Sequence, residues 1–214
     1  MKPPLIAVDL GGTIEDSWQS KWLWFAARGI DLGPWPRSRL EVIEAIGGQE
    51  ALYERMAAEV YSDGKIISRE PVEGVAAGLH TLAQQFRVAI VSSRTELQRL
   101  TTCAWLQRCG LMNLVAEIVL LGSDGNKLEW CQHTGAVALI DDDIRHLEPT
   151  NDFKAITRIH FAARLHGTLP SHRNIRVATT WPEILCVLQR ELEFREPDTS
   201  AARESEIKAF APGQ

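Results

Sequence analysis

The chain is poor in cysteine, and its four cysteines, Cys103, Cys109, Cys131 and Cys186, form no CxxC pair. That spacing argues against a zinc site. Their apolar, helix-like surroundings predict reduced thiols in the core of a cytoplasmic protein. No apolar stretch approaches the roughly 20 residues needed by a bilayer-spanning helix. Met1-Lys2-Pro3-Pro4 leads straight into a strand pattern, without the hydrophobic region of a secretory leader. Positive charge is not in excess. The net charge is -5 at pH 7 and the pI is near 5.7, so general nucleic-acid or membrane-surface binding is not expected. The basic stretch Arg164–Arg173 is short and interrupted by Pro170, too little for a nucleic-acid site. What is present is an ordinary globular composition. With 214 residues, 45% hydrophobic and 24% charged, the chain suits one full core with a small inserted unit.

The most informative segment is Leu5-Ile6-Ala7-Val8-Asp9-Leu10-Gly11-Gly12-Thr13. A continuous apolar run suits a parallel strand covered on both faces. Ligands of open α/β sheets sit outside the carboxyl ends of such strands, which would place Asp9 in a site. Gly11 and Gly12 would let the backbone approach a ligand closely.

From Glu15 to about Arg69 the pattern is helical. Asp16 and Ser17 are N-cap candidates before Trp18, Trp22 and Phe25, which share one helical face. Further helices are expected over 37–46 and 49–60, the latter with Leu52, Met56, Ala57 and Val60 on one face. From Glu70 onward strands and helices alternate. Pro71 is expected to open a helix, and FRVAIV (86–91) to form a strand. A helix capped by Thr95 should carry Leu97, Leu100, Ala104, Trp105 and Leu106 inside. Strands are expected at 115–121, 136–140, 156–161 and around Arg176-Val177, with helices at 126–133 and 182–192. Repeated βα units indicate a parallel, helix-covered sheet, an α/β Rossmann-like fold. The predicted organisation is a core of residues 1–14 and 70–195, a small inserted helical cap at 15–69 and a flexible tail at 196–214.

Four polar clusters fall at strand ends or helix starts: Asp9, Ser92-Ser93-Arg94, Lys127, and Asp141-Asp142-Asp143. In a parallel sheet all strand carboxyl ends face one edge, so distant clusters can converge. Adjacent carboxylates need a cation, and hard oxygen ligands suit Mg²⁺. Hydroxyls and an ammonium are partners for phosphate. An aspartate can act as nucleophile through an aspartyl-phosphate. Each cluster alone has an ordinary reading as a solvated turn or surface charge. The ordered set points to phosphoryl chemistry.

The motifs VDLGGT, IVSSR, the Lys of GNKLEW and LIDDD, in this order, resemble those of the haloacid dehalogenase-like (HAD) hydrolase superfamily. The resemblance covers nearly all of residues 5–190, and KLEWCQHTGAVALIDD is most similar to the deoxyribonucleotidase-like branch. It implies that Asp9 is nucleophile and Mg²⁺ ligand, with the Gly11 carbonyl, Asp142 and Asp141 completing the metal site. Ser92 or Ser93 would bind the phosphoryl group of a phosphorylated small-molecule substrate, with Gly12 and Thr13 shaping the turn that receives it. Lys127 would neutralise the phosphoryl group and Asp9.

Position 11 departs from the pattern. Phosphatases of this superfamily carry a second Asp there, which protonates the leaving alcohol and then activates water. General acid–base help of this kind is worth about 10²–10⁴-fold. Glu15, Asp16 or Lys21 are the candidates to replace it. Three readings follow: a phosphatase for substrates with good leaving groups, a different chemistry such as C–P cleavage, or a protein that binds a phosphorylated ligand without turning it over. C–P cleavage of the phosphonatase kind would need a cap lysine, and Lys21 and Lys65 both read as solvated. Dehalogenase relatives work without Mg²⁺, which the acidic cluster here disfavours.

VDLGGT also resembles the first phosphate motif of sugar kinases. Those need a β-hairpin after the motif, a second domain and a Gly-rich adenosine motif, whereas here a Trp-rich helical pattern follows. The cluster Trp18, Trp22, Trp24 and Trp35 reads as packing between helices, or as a stacking surface for a flat substrate group. Arg94 suits either a structural ion pair or an anionic substrate. The histidines, His133, His146, His160, His166 and His172, show no common spacing and read as surface or loop residues.

Overall fold

The computed structural model describes residues 2–32, 39–148, 156–163 and 174–193. Trp35, the Arg164–Arg173 segment with His166 and His172, and the tail expectation at 196–214 lie outside them. The strands are β1 (Leu5–Val8), β2 (Arg87–Ser92), β3 (Glu117–Leu120), β4 (Ala138–Asp141), β5 (Thr157–Phe161) and β6 (Arg176–Ala178). The helices are α1 (Ser17–Ala26), α2 (Arg39–Ala45), α3 (Glu50–Val60), α4 (Asp63–Ser68), α5 (Val75–Ala83), α6 (Arg99–Arg108), α7 (Lys127–Thr134) and α8 (Trp181–Glu193).

One six-stranded sheet has the order β3-β2-β1-β4-β5-β6, and every pairing is parallel. The two faces of β1 explain its unbroken apolar run. Ile6 and Val8 pack with Val88, Ile90 and Ile140 under α5, α6 and α8. Leu5 and Ala7 pack with Ala89, Val91 and Leu139 under α7, through Leu128 and Cys131. The sheet is an α/β Rossmann-like sandwich, as the alternating pattern predicted. The chain runs from β1 to β2 on one side and places β4 on the other. The crevice at the carboxyl end of β1 is therefore the topological switch point.

Gly78 permits the approach of α8 to α5. A Cβ there would fall 2.3 Å from the Trp181 ring, which is fully buried and whose Nε1 donates to the Thr13 carbonyl at 3.2 Å.

Between β1 and α5 the chain is helical, with its own apolar cluster that includes Trp18, Trp24, Phe25, Val42, Met56 and Val60. Asp16 caps α1, its side chain accepting from the Gln19 amide at 3.0 Å. The two connections to the sheet run side by side. The Asp16 amide donates to the Glu70 carbonyl at 3.0 Å and the Val72 amide to the Ile14 carbonyl at 2.8 Å.

Several expectations are corrected. A fourth helix, α4, follows α3, and its Ile66 joins the main core. Pro71 does not open α5; it bridges Glu15 in extended backbone, and the helix starts after Gly74. Thr95 caps a single 3-10 turn through a capping box, and only then does α6 begin. That turn points Leu97 and Leu100 outward, at 92% and 84% exposure, while Thr101, Thr102, Trp105 and Leu106 take the buried face. The cysteines are free, but Cys186 is exposed on α8 and only Cys131 is fully buried. No helix among the described residues is long and apolar enough to cross a membrane.

Candidate active site

The parallel register brings two distant aspartates together. Val8 pairs with Ile140, so the next residues, Asp9 and Asp141, lie side by side at the strand ends. Both face α7, whose first residue is Lys127. Asn126 starts that helix by accepting from the Glu129 amide at 3.2 Å. The Lys127 ammonium donates to Asp9 Oδ1 at 2.5 Å and to Asp141 Oδ2 at 2.6 Å. All three side chains are buried. Asp141 Oδ1 accepts from the Asp143 amide at 2.9 Å, so both of its oxygens are engaged. Burial pushes the Lys127 ammonium down, but Asp141 and Asp9 outweigh it and hold the group above the usual lysine range.

Asp142 is different. It is half-buried and makes no salt bridge among the described residues. Burial, then Asp9, then Asp141 push its carboxyl well above the carboxylate range. Oxygens of Asp9, Asp141 and Asp142 all lie within 4.8 Å of one another. When all three are ionised, these carboxylates carry more negative charge than the Lys127 ammonium balances, and the donors are hard oxygens. That set fits a divalent cation of the Mg²⁺ kind. Gly12 makes the approach possible. Its φ is +108°, and a Cβ there would fall 2.0 Å from Asp142 Oδ2.

These groups open into a cavity of about 960 Å³. Its wall contains Asp9, Gly11, Lys21, Ser92, Ser93, Arg94, Lys127, Asp141 and Asp142. Ser92 ends β2 and its Oγ accepts from the Arg94 amide at 3.3 Å. Ser93 Oγ lies 3.4 Å from His146 Nε2. Gly12, Thr13, Trp18 and Trp22 are outside that wall. Thr13 is fully buried beneath the turn, and its hydroxyl has no hydrogen-bond partner among the described residues. Trp18 and Trp24 belong to the apolar cluster of the inserted helices, with Trp22 packed against it. The indoles act as packing.

The candidates to replace an acid at position 11 separate clearly. Glu15 is completely buried between Arg69 and Arg94, each of which donates to one of its carboxylate oxygens. Asp16 is the cap of α1. Arg94 also donates to Thr102 Oγ1 at 3.1 Å and is thus a structural ion-pair residue at the cavity edge. Lys21, expected to be solvated, instead enters the cavity wall; Lys65 is exposed. The Lys21 ammonium sits 5.7 Å from the Tyr61 ring centroid and 5.9 Å from that of Trp18. Burial lowers its affinity for the proton, but the phenols of Tyr61 and Tyr53 and the Asp142 carboxylate outweigh this and hold it above the usual range.

Residues not anticipated also line the cavity: Tyr53, Tyr61, Arg39, Arg145, His146 and His160. The tyrosines offered a signal. They are the only two in the chain, and they stand eight residues apart across α3, on one helical face. His146 is neutral at physiological pH, since burial and then Lys127 push it down to about 4. His160 Nε2 lies 3.1 Å from the Asp142 carbonyl.

No protein-family model matches the chain, and no curated protein matches it significantly. Solved structures do match. The putative HAD-hydrolase YfnB from Bacillus subtilis, bound to magnesium, superposes with a TM-score of 0.54 at 14% identity, over 88% of this chain and 99% of that one. A HAD family hydrolase from Deinococcus radiodurans with bound phosphate and sodium gives 0.56 at 18% identity, over 89% and 97%. A haloacid dehalogenase-like family protein from Streptococcus pneumoniae gives 0.54 at 13%, over 87% and 99%. The fold of this chain, a parallel sheet with flanking helices, is the fold of these HAD hydrolases.

Proposed function

We propose that the protein is a Mg²⁺-dependent hydrolase of HAD type that acts on a phosphorylated small molecule through an aspartyl-phosphate at Asp9. One observation carries the reading: a buried lysine joins the carboxylates at the ends of two adjacent parallel strands, beside two serine hydroxyls in one cavity wall. Asp9 and Asp142 would hold the metal with the Gly11 carbonyl, and Asp141 would chiefly orient Lys127. A bound Mg²⁺ would neutralise charge on the phosphoryl group.

The chain's own residues would work as follows. Ser92, Ser93 and Lys127 bind the phosphoryl oxygens and align the phosphorus with Asp9. An Asp9 carboxylate oxygen attacks phosphorus, the bond to the leaving oxygen breaks, and the leaving group departs with the electron pair. Water then attacks the phosphorus of the acyl phosphate, releasing phosphate and restoring Asp9. The inserted helices serve as a cap over this edge, with α1 and α3 supplying Lys21, Tyr53 and Tyr61. The lack of an acid at position 11 favours substrates whose leaving group departs as an anion, such as acyl phosphates. A panel of phosphate esters and acyl phosphates with Mg²⁺ tests the proposal. Turnover in the wild type that is abolished by Asp9→Asn is the expected result; turnover that survives Asp9→Asn would sink it.

A second reading, ligand binding without turnover, is favoured by one observation. Glu15 and Asp16 are both committed to structural bonds and cannot serve as the missing acid. It predicts phosphate binding in a wild type that is inert on the whole panel.

A further inference from the structure

The second half of the proposed reaction needs a base. Water that attacks an aspartyl-phosphate must lose a proton whatever the leaving group was, and Gly11 has no side chain to take it. The ammonium, guanidinium and phenol groups of the cavity wall carry protons at neutral pH and do not act as bases. The carboxylates are committed. Asp9 is the nucleophile of the proposed reaction, Asp142 belongs to the metal set and both oxygens of Asp141 are engaged. Asp143 pairs with Arg145, Glu54 pairs with Arg39, and Glu41 is exposed on α2. Two imidazoles of the wall are left. His160 holds its Nε2 at the Asp142 carbonyl, 3.1 Å away, so that nitrogen carries the proton, and its Nδ1 is buried. His146 is half-buried, with its Nε2 3.4 Å from Ser93 Oγ.

The topology explains where His146 stands. Ser93 follows β2, and His146 ends a short 3-10 turn after β4. β1 lies between those two strands, which stand about 10 Å apart at the usual strand spacing. The Ser93 and His146 side chains therefore meet across the end of β1, the strand that delivers Asp9. We propose that His146 Nε2 is the base that takes the proton from the water attacking the Asp9 aspartyl-phosphate, a role that rests on the phosphoryl reading of the site. The water oxygen bonds to phosphorus, the bond from phosphorus to the Asp9 oxygen breaks, and its electron pair returns to the Asp9 carboxylate. The water proton moves to Nε2, which is open to it when the ring carries its own proton on Nδ1, and passes from there to solvent. Burial and then Lys127 keep the ring neutral at physiological pH. A phosphoryl group on Asp9 adds negative charge nearby, which raises the ring's affinity for a proton at the step that needs it.

Pre-steady-state hydrolysis of p-nitrophenyl phosphate with Mg²⁺ separates the two halves of the reaction. The first release of nitrophenolate reports formation of the phosphoenzyme, and continued release reports its breakdown. His146→Gln keeps a side chain that can reach Ser93 and removes the base. It should release a burst of nitrophenolate equal to the protein present, at the wild-type rate, and then turn over about 10²–10⁴-fold more slowly. Acid quenching during the slow phase should trap a phosphoryl group on Asp9. The burst itself shows that the variant is folded, and His146→Asn is the second variant should the longer amide disturb the turn. Turnover within about twofold of wild type, or a burst slowed as much as turnover in a variant of wild-type melting temperature, would overturn the role of His146 and leave the phosphoryl site standing. A wild type that releases neither nitrophenolate from this ester nor phosphate from acetyl phosphate would overturn the phosphoryl reading itself, and the base with it.

Discussion

Neighbouring glycines at positions 11 and 12 serve different purposes. At Gly12 the left-handed backbone and the Asp142 carboxylate leave no room for a side chain. At Gly11 the backbone is one any residue can adopt, and an added Cβ would meet nothing nearer than Ser17 Oγ at 3.7 Å. The Ser17 hydroxyl is buried and has no hydrogen-bond partner among the described residues. A carboxylate introduced at position 11 would therefore enter available space beside an unsatisfied donor. Gly11→Asp is expected to fold normally and to raise kcat on alkyl phosphates, which need protonation of the leaving oxygen, by up to about 10²–10⁴-fold. Acyl phosphates, whose leaving group needs no proton, should gain much less. Steady-state rates on the two classes check this; an equal change on both would show that position 11 does not act on the leaving group. Asp9 stood out in the sequence because an apolar run ends at it, and Lys127 because it opens a helical pattern after the polar turn Gly122-Ser123-Asp124-Gly125. Lys21 was a candidate that the pattern left in solvent, because only the docking of α1 decides whether a helical lysine meets water or a cavity.

Among the elements, the join between the inserted helices and the sheet is the most unusual energetically. Glu15 leaves the β1 turn, Arg69 follows α4 and Arg94 follows β2, and the three meet in one buried ion cluster. Arg69 also donates to the Val60 carbonyl, so the cluster ties the ends of α3 and α4 to the loop that carries Ser92 and Ser93. Breaking a buried pair from one side leaves charge unpaired and costs about 3–5 kcal/mol. Glu15→Ala should cost that much or more, because two guanidinium groups lose their partner. For a domain of this size it should lower Tm by about 6–20 °C. Urea and thermal unfolding measure it; a loss under about 1 kcal/mol would mean that water reaches the cluster. The sequence marked Glu15 as a possible acid. It carried no trace of the pairing, since the partners lie 54 and 79 residues away.

At the scale of the molecule, convergence follows from one rule. Every strand is parallel, so every strand delivers its carboxyl end to the same edge, and the central position of β1 puts Asp9 between β2 and β4. If the carboxylates gathered there hold a divalent ion in the native state only, metal should stabilise the fold, by about 2.7 kcal/mol at a concentration 100 times its Kd. Thermal melts with and without Mg²⁺ should show a rise for the wild type that is lost in Asp142→Asn; an equal rise in both would remove Asp142 from the metal set. The sequence by itself determined the sheet, the helical insertion and the four motif positions, because apolar periodicity and strand-end polarity are local properties of the chain. Only the tertiary structure decided what those side chains meet. It sent Leu97 and Leu100 outward, turned the tryptophans into packing, committed Glu15 and Asp16 to structural bonds and placed Lys21, Tyr53 and Tyr61 in the wall of the cavity that Asp9 also lines. Orientation of that kind depends on how separate elements dock, and docking is set by the summed packing of both core clusters with the inserted one, not by any single stretch of residues.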